Sequence, residues 1–578
     1  MRRLGWAELD VILVTGDAYI DSPFMGVAVI GRILHQQGFR VGVIAQPDLS
    51  DGRDILRLGE PVLFWGITSG AIDSMVANRT ASGKRRKSDD YTPGGRNTRR
   101  PDRAVIVYAN LIRGWRRTAA PLVLGGIEAS LRRIAHYDAW EDRIRRSILF
   151  DAKADYLLYG MAERSIVELA RALAAGAPTT GIRGLCHIAA QPPEEALVLP
   201  SFQTVAEDQR AFTDMFRIFY DNNDPVTARP LAQQQDTRFL IHNPPQPALT
   251  SDELDAVHEL PYERELHPLD RQRGEVRALE TIRFALTTHR GCYGECRFCA
   301  IAMHQGRAIQ QRSPDSLVRE ARQLTQHPAF KGIIADVGGP TANMYGMDCA
   351  KKQTRGACRN KSCLFPTICP ELPLDHGPLI GLLRRLRGIE GVRKVVVASG
   401  LRHDLILADQ RRGQDYLREL IRHHVSGQLK LAPEHAVDHV LRAMGKPGAD
   451  ALIEFRRLFN RLGKEEGERL FLTYYLIAAH PGCNLDDMHA LLAFCRKELR
   501  LIPRQVQLFT PTPCTWSTLM YRTGTDPFTG APCFVEQSTA ERERQRQVLV
   551  AADRPAGRTP HEATPKRSKR SRPRKRRS

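Results

Sequence analysis

Gly291-Cys292-Tyr293-Gly294-Glu295-Cys296-Arg297-Phe298-Cys299 is the stretch on which the reading of this chain turns. It sets three cysteines at C-x3-C-x2-C spacing, with an aromatic residue just before the last. Three thiolates on one short loop can grip three irons of an iron–sulfur cluster and leave the fourth iron open to a ligand. Zinc is a rival reading. Zinc knuckles usually need four protein ligands, and His304, five residues after Cys299, would complete a set of three thiolates and one imidazole. A third reading is three structural cysteines that cluster by chance. A disulfide framework does not fit, because 12 cysteines in 578 residues fall far below the density of a stapled secreted domain.

The loop leaves an apolar run, Phe284 to Gly291, that opens a β–α alternation reaching about Pro513. Further strands are expected at Gly332–Gly339, Lys394–Gly400, Gly427–Ala432, Phe471–Ile477 and Gln505–Phe509. Ser313 and Pro314 read as the N-cap and first turn of a helix through Leu324. Six strands with intervening helices predict a partial (β/α)6 TIM-like barrel, with its active site at the C-terminal strand mouths.

Upstream, apolar runs at Asp10–Asp17, Arg40–Ala45, Val62–Thr68, Pro121–Gly126 and Asp155–Gly160 alternate with helical stretches at Val27–Gln37 and from about Ala162 to Ala174. This is the pattern of a doubly wound α/β domain, which binds ligands beyond its C-terminal strand ends. Gly16, Asp17, Thr68, Ser69, Gly70, Gly125, Gly126 and Glu128 fall there, without the G-x-G-x-x-G of a dinucleotide site. A basic, turn-rich insertion, Lys84 to Arg103, reads as a solvated loop or as a strap over the other domain or a polyanionic substrate. The expected organisation is an α/β domain over 1–190, a partly ordered connector over 191–277, and a barrel over 278–540 with a cysteine-rich insertion at 347–370. A disordered basic tail over 541–578 completes it.

The net charge of +20 is concentrated at the end: nine of the last 14 residues are Lys or Arg and none is acidic. Such a block self-repels and stays solvated, either as a polyanion-binding arm for RNA or as a solubilising tail. No run approaches 18 apolar residues, and the first residues show no apolar leader segment. With free thiols intended for metal, a cytoplasmic location is expected.

A second cysteine group, Cys349, Cys358, Cys363 and Cys369, has C-x8-C-x4-C-x5-C spacing among Lys351, Lys352, Arg355, Arg359 and Lys361. Positive neighbours favour thiolates. The set reads as a second metal site, zinc or an auxiliary 4Fe-4S cluster, with unligated cysteines as the remaining option. A relay of electrons, a substrate platform and a structural clip are the roles its place near the barrel mouth suggests.

Cys292, Cys296 and Cys299, followed in order by a glycine-rich strand end, resemble the cluster motif of the radical S-adenosylmethionine (radical SAM) superfamily. Asp17-Ala18-Tyr19-Ile20-Asp21, Thr92-Pro93-Gly94-Gly95, Gly125 through Tyr137 and Leu431-Ala432-Pro433-Glu434-His435 are similar to the YgiQ-type members, over roughly residues 10 to 530. The resemblance implies a cobalamin-binding-like first domain, a 4Fe-4S cluster on Cys292, Cys296 and Cys299, S-adenosylmethionine as cofactor, and an electron donor such as flavodoxin or ferredoxin. It places Phe298 beside adenine and the backbone of Gly338 and Gly339 at the methionine amino group. Pro340 replaces the usual glutamate there, so only backbone contacts carry over. Ser399, Arg402, Lys430 and Glu434 would reach the ribose or the carboxylate, a surface or structural role being equally open. The D-x-H-x-x-G motif that gives cobalt a histidine is absent, so a base-off corrinoid and a fold without corrinoid stand side by side. Cys299 through Arg307 is similar to the methylthiotransferases, which act on tRNA and ribosomal protein, but only this loop carries that likeness. The resemblance names no substrate. The alternative is a zinc-organised RNA-binding protein without radical chemistry.

Overall fold

The structure, a computed structural model, describes residues 1–115, 120–359 and 361–552, so the basic block at 565–578 lies outside the described residues. Its first half is built on β1 (Leu9–Thr15), β2 (Val41–Ala45), β3 (Pro61–Thr68), β4 (Leu122–Leu124) and β5 (Tyr156–Leu158). All five are parallel, in the order 2-1-3-4-5. Val11, Ile12 and Val14 of β1 are fully buried, as expected of a strand covered on both faces. With this strand order the chain reverses direction between β1 and β3, which opens a crevice at their C-terminal ends.

The sheet does not stop at residue 190. β6 (Leu185–Ala189), β7 (Leu197–Leu199), β8 (Leu231–Gln235) and β9 (Arg238–His242) extend it to nine strands, in the order 2-1-3-4-5-6-9-8-7. The expected connector is therefore largely part of the first domain. Its strands were hidden by composition. Gln233 and Gln235 are buried amides whose carbonyls accept the backbone N–H groups of Ala135 (3.1 Å) and Ser147 (2.9 Å). A polar strand can sit in a core when each amide is satisfied in this way.

Arg133 fastens this extension to the parallel half. It is completely buried, and its guanidinium lies 4.6 Å from the ring centroids of both Tyr159 and Phe219. It donates to His242 Nε2 (2.9 Å), Asn223 Oδ1 (2.8 Å) and the Ser130 carbonyl (2.5 Å). The Lys84–Arg103 insertion is solvated at its basic start, Lys84 to Ser88, and anchored beyond it, where Asp89, Thr92, Asn97 and Arg100 are buried. Arg100 pairs with Asp17 at the end of β1 (2.5 Å), and neither side chain is exposed.

The second half is the partial barrel. β10 (Ala285–Thr287) runs parallel to β11 (Asp336–Gly338), and Ile333–Ile334, just before β11, pair with β12 (Lys394–Val395). A bridge between Leu401 and Leu431 leads to β13 (Gln428–Glu434), followed by parallel β14 (Phe471–Ala478) and β15 (Gln505–Leu508). The Ser313 hydroxyl caps the helix Pro314–Thr325 by accepting from Ser316 N. Beyond the strands, the helix Thr539–Ala552 lies on the barrel, with Leu549 in the core and Arg542 donating to the Phe509 carbonyl. The expected tail thus begins with a packed helix. Met303, Phe509, Cys514, Leu519 and Tyr521 share one apolar core with Trp65, Tyr108 and Phe219 of the first half. Among the described residues no helix is long and apolar enough to cross a membrane.

Arg133→Ala removes the cation and leaves buried His242 and Asn223 unpaired. It should lower unfolding stability by about 3–5 kcal/mol, read from the midpoint of urea denaturation. An unchanged midpoint would mean that the extension is held by its strands alone.

Candidate cluster and cofactor site

The three cysteines sit on a loop closed by a short antiparallel pair, His289–Arg290 with Gln310–Gln311. Gly291 starts it at φ +82°, where a Cβ would lie 2.0 Å from the Ala308 carbonyl oxygen, so only glycine fits. The Cys292 N–H then donates to the Gly306 carbonyl (3.2 Å), and Cys299 N–H closes a turn on the Cys296 carbonyl (2.9 Å). Arg297 N–H donates to Met444 O (3.0 Å), while Arg297 O accepts from Ser517 N–H (2.9 Å). The loop is thereby tied to two other barrel segments.

The first domain holds the same loop. Buried Arg290 pairs with Glu163. The Glu295 carboxylate, 8% exposed, accepts from the Tyr220 hydroxyl (2.9 Å) and pairs with Arg307 (3.5 Å) and Lys352 (3.8 Å). Tyr220 is itself packed on Trp516, with ring centroids 4.7 Å apart.

Cys292, Cys296 and Cys299 are all free and half-buried. Cys292 Sγ lies 3.7 Å from Thr341 Oγ1 and 3.8 Å from Met344 Sδ. Arg402 Nη1 approaches Cys296 Sγ at 3.7 Å, while its other nitrogens are fixed by Asp404 at 2.5 and 2.8 Å. Burial pushes the Cys299 thiol up to about 12, and the neighbouring Cys296 and Cys292 sulfurs push the same way. The chain alone keeps that sulfur protonated, and binding a metal must release the proton. Three soft donors on one loop, with a guanidinium to offset their charge, fit an iron–sulfur cluster, whose thiolates each take a separate iron. Among the described residues no three His, Cys, Asp or Glu side chains gather into a single-ion site.

The remaining expected residues divide. Phe298 is half-buried, 6.0 Å from Lys446 Nζ and edge-on to His480 at 6.2 Å. Lys446 pairs with Glu434 (3.6 Å) and donates to the Ala432 carbonyl (2.7 Å), which brings Phe298 and Glu434 into one cluster. Burial raises the Glu434 carboxyl, and Lys446 opposes the shift. A Cβ on Gly338 would stand 3.3 Å from Ala342 Cα, and one on Gly339 2.6 Å from His289 Nε2. Ser399 points elsewhere: its hydroxyl donates to Asp336, which also takes the N–H of Ala398 (2.8 Å). Lys430 contributes its carbonyl to Leu401 N–H (3.2 Å). Tyr220 and Lys446 were not foreseen because only the fold brings them to Glu295 and Glu434, whereas Asp404, two residues from Arg402, was open to a reading as its partner. Of the second group, Cys349 and Cys363 are buried, Cys369 is half-buried and Cys358 is exposed.

Two cavities flank His304 between the halves. One, of about 310 Å³, lies at the β1/β3 strand ends, lined by Thr15, Asp17, Thr68, Gly126 and Met161. The other, of about 700 Å³, is lined by Tyr159, Glu163, Asn223, Asp224, Arg307 and Lys352. His304 Nδ1 is buried without a partner, and burial holds the ring near 4, hence neutral.

Residues 1–285 match the family model for the radical SAM N-terminal domain, and 286–495 that of the radical SAM superfamily. A UPF0313 protein of Fusobacterium nucleatum subsp. nucleatum is 49% identical over 551 residues, 95% of this chain and 97% of its own. The chain belongs to the UPF0313 family of radical SAM proteins. A further UPF0313 member, from Thermotoga maritima, is 48% identical over 553 residues, again 95% and 97% of the two chains. Among solved structures, the radical SAM methyltransferase TsrM from Kitasatospora setae, with cobalamin and a [4Fe-4S] cluster bound, is 16% identical. It has a TM-score of 0.48, covering 87% of this chain and 73% of that one. The UPF0313 chain is accordingly a radical SAM enzyme of unassigned substrate.

Gly291→Ala should strain the loop by about 1–3 kcal/mol and reduce the iron taken up on anaerobic reconstitution. A variant that loads iron like the wild type would show that this turn is not needed to present Cys292.

Proposed function

We propose that this chain reductively cleaves S-adenosylmethionine at a 4Fe-4S cluster held by Cys292, Cys296 and Cys299. The observation that carries the reading is their grouping on one loop at the barrel mouth, with Arg402 on Cys296 and the Phe298–Lys446–Glu434 cluster beside them. When bound, the cluster supplies the electron that splits the sulfonium into methionine and a 5′-deoxyadenosyl radical.

The chain's own residues bind and shield. Arg402, locked by Asp404, offsets the negative charge of the thiolates. Phe298 offers a face for adenine, and the backbone of Gly338 and Gly339 is read as meeting the amino group, their lack of a Cβ letting Ala342 and His289 pack against the strand end. Glu434, kept close to Lys446, is placed to accept from ribose hydroxyls. Ser399, engaged by Asp336, is better read as a support of the strand end than as a cofactor contact. Tyr220 and Glu163 brace the loop from the first-domain side by pairing with Glu295 and Arg290.

The cavity at the β1/β3 strand ends, about 310 Å³, adjoins the larger one at Met161, His304 and Gln305, and a base-off corrinoid stands there beside a fold without one. The family membership sets aside the zinc-organised RNA-binding alternative. All 12 cysteines are free, which suits a cytoplasmic protein supplied with electrons by a flavodoxin or ferredoxin.

Reconstituted, reduced wild type incubated anaerobically with S-adenosylmethionine should release 5′-deoxyadenosine, and Cys296→Ala should release none. Equal release from both would sink the assignment. Glu434→Gln should weaken S-adenosylmethionine binding about 5- to 20-fold, as loss of a charge-assisted hydrogen bond does. Isothermal titration would show it, and unchanged affinity would remove Glu434 from the site.

A further inference from the structure

The segment from Cys349 to Cys369 holds four cysteines and no histidine, aspartate or glutamate, so any metal it binds has an all-thiolate shell. Lys361 Nζ donates to Cys369 Sγ at 3.5 Å. Cys369 N–H donates to the Cys363 carbonyl (2.8 Å). Cys363 and Cys369 thus share one neighbourhood with the Lys361 cation, and Cys349 and Cys358 lie on the same short segment.

That neighbourhood lies directly on the first cysteine loop. Tyr293, between Cys292 and Cys296 in sequence, is completely buried in an apolar cluster that contains Cys363, Leu364 and Leu372 and that Cys292 borders. Lys352 reaches Glu295, and Arg297 lies 5.2 Å from the Phe365 ring centroid. Three residues of the Cys292–Cys299 loop thus contact the second cysteine segment. The Tyr293 hydroxyl is buried with no hydrogen-bond partner among the described residues. A buried phenol left unsatisfied is costly unless a group absent from the chain supplies an acceptor. A cluster sulfide or a metal-bound thiolate is such an acceptor.

We propose that Cys349, Cys358, Cys363 and Cys369 bind a second iron–sulfur cluster, separated from the first by the Tyr293 side chain. A structural zinc fits the surroundings less well. The segment already packs on its own apolar core of Ile309, Met344, Leu364, Leu372 and Leu405, and so does not need a metal staple. Each thiolate of a four-iron cluster takes its own iron, and four cysteines on a segment without other metal-binding side chains supply one for each. The assignment does not depend on the chemistry at the first cluster.

The test is iron, acid-labile sulfide and zinc content of the full chain after anaerobic reconstitution. Wild type should carry about eight irons and eight sulfides, the amount of two four-iron clusters. Cys292→Ala/Cys296→Ala/Cys299→Ala should keep about four of each, and so should Cys363→Ser/Cys369→Ser. The reduced wild type should show a second paramagnetic signal that only the Cys363→Ser/Cys369→Ser variant loses. An iron-free triple variant, or stoichiometric zinc in place of its iron, would overturn the proposal. Should the triple variant fail to fold, an unchanged iron content in Cys363→Ser/Cys369→Ser would overturn it equally. Iron retained in full by the triple variant and lost entirely from the double variant would instead refute the first site and leave this one standing.

Discussion

The carboxylate of Glu295 is the point on which the site depends. Its backbone is in the left-handed region, at φ +45°, inside a loop that must also present three sulfurs. A nearly buried carboxylate is tolerated only with full compensation. Here that compensation comes from three directions at once: Tyr220 of the first domain, Arg307 in the bend before the returning strand, and Lys352 of the second cysteine segment. One side chain thus holds the cysteine loop against three separate parts of the chain.

The same logic explains the stretches that resemble the YgiQ-type proteins most closely. In the first domain these residues build rather than react. Asp17 is neutralised by Arg100. Glu128 accepts the backbone N–H groups of Ser74 (2.9 Å) and Val105 (3.1 Å). Arg132 pairs with Asp73, and Arg133 joins the two parts of the sheet. Each is a buried polar group whose partner lies far along the chain, and exchange of either member would strand the other. Their pattern identifies the family without locating any chemistry.

Much of the architecture was legible in the sequence, because apolar runs alternating with helical periods carry their own signal. The five parallel strands and the six barrel strands follow the runs around Val11–Val14, Val395–Val397 and Leu429–Leu431. β8 was not legible, because Leu231-Ala232-Gln233-Gln234-Gln235 looks like a solvated segment until its amides are seen capping distant N–H groups. The helix Thr539–Ala552 was missed for a related reason: its charged residues cover the surface, and few apolar side chains face the barrel. At the site, the grouping of the three cysteines on one loop was legible from their spacing, while Phe298 was singled out by the family resemblance. Lys446 was not, since only the fold brings it beside Glu434, and Ser399 was placed correctly in the chain but proves to be engaged by Asp336.

The apolar core that runs from Trp65 and Phe219 into Phe509 and Tyr521 has a kinetic consequence. Domains joined by a thin polar interface can swing apart to admit a substrate, but parting these two would unseal a continuous oily interior. Access to the interior is therefore a matter of side-chain movement rather than of a hinge between the two halves.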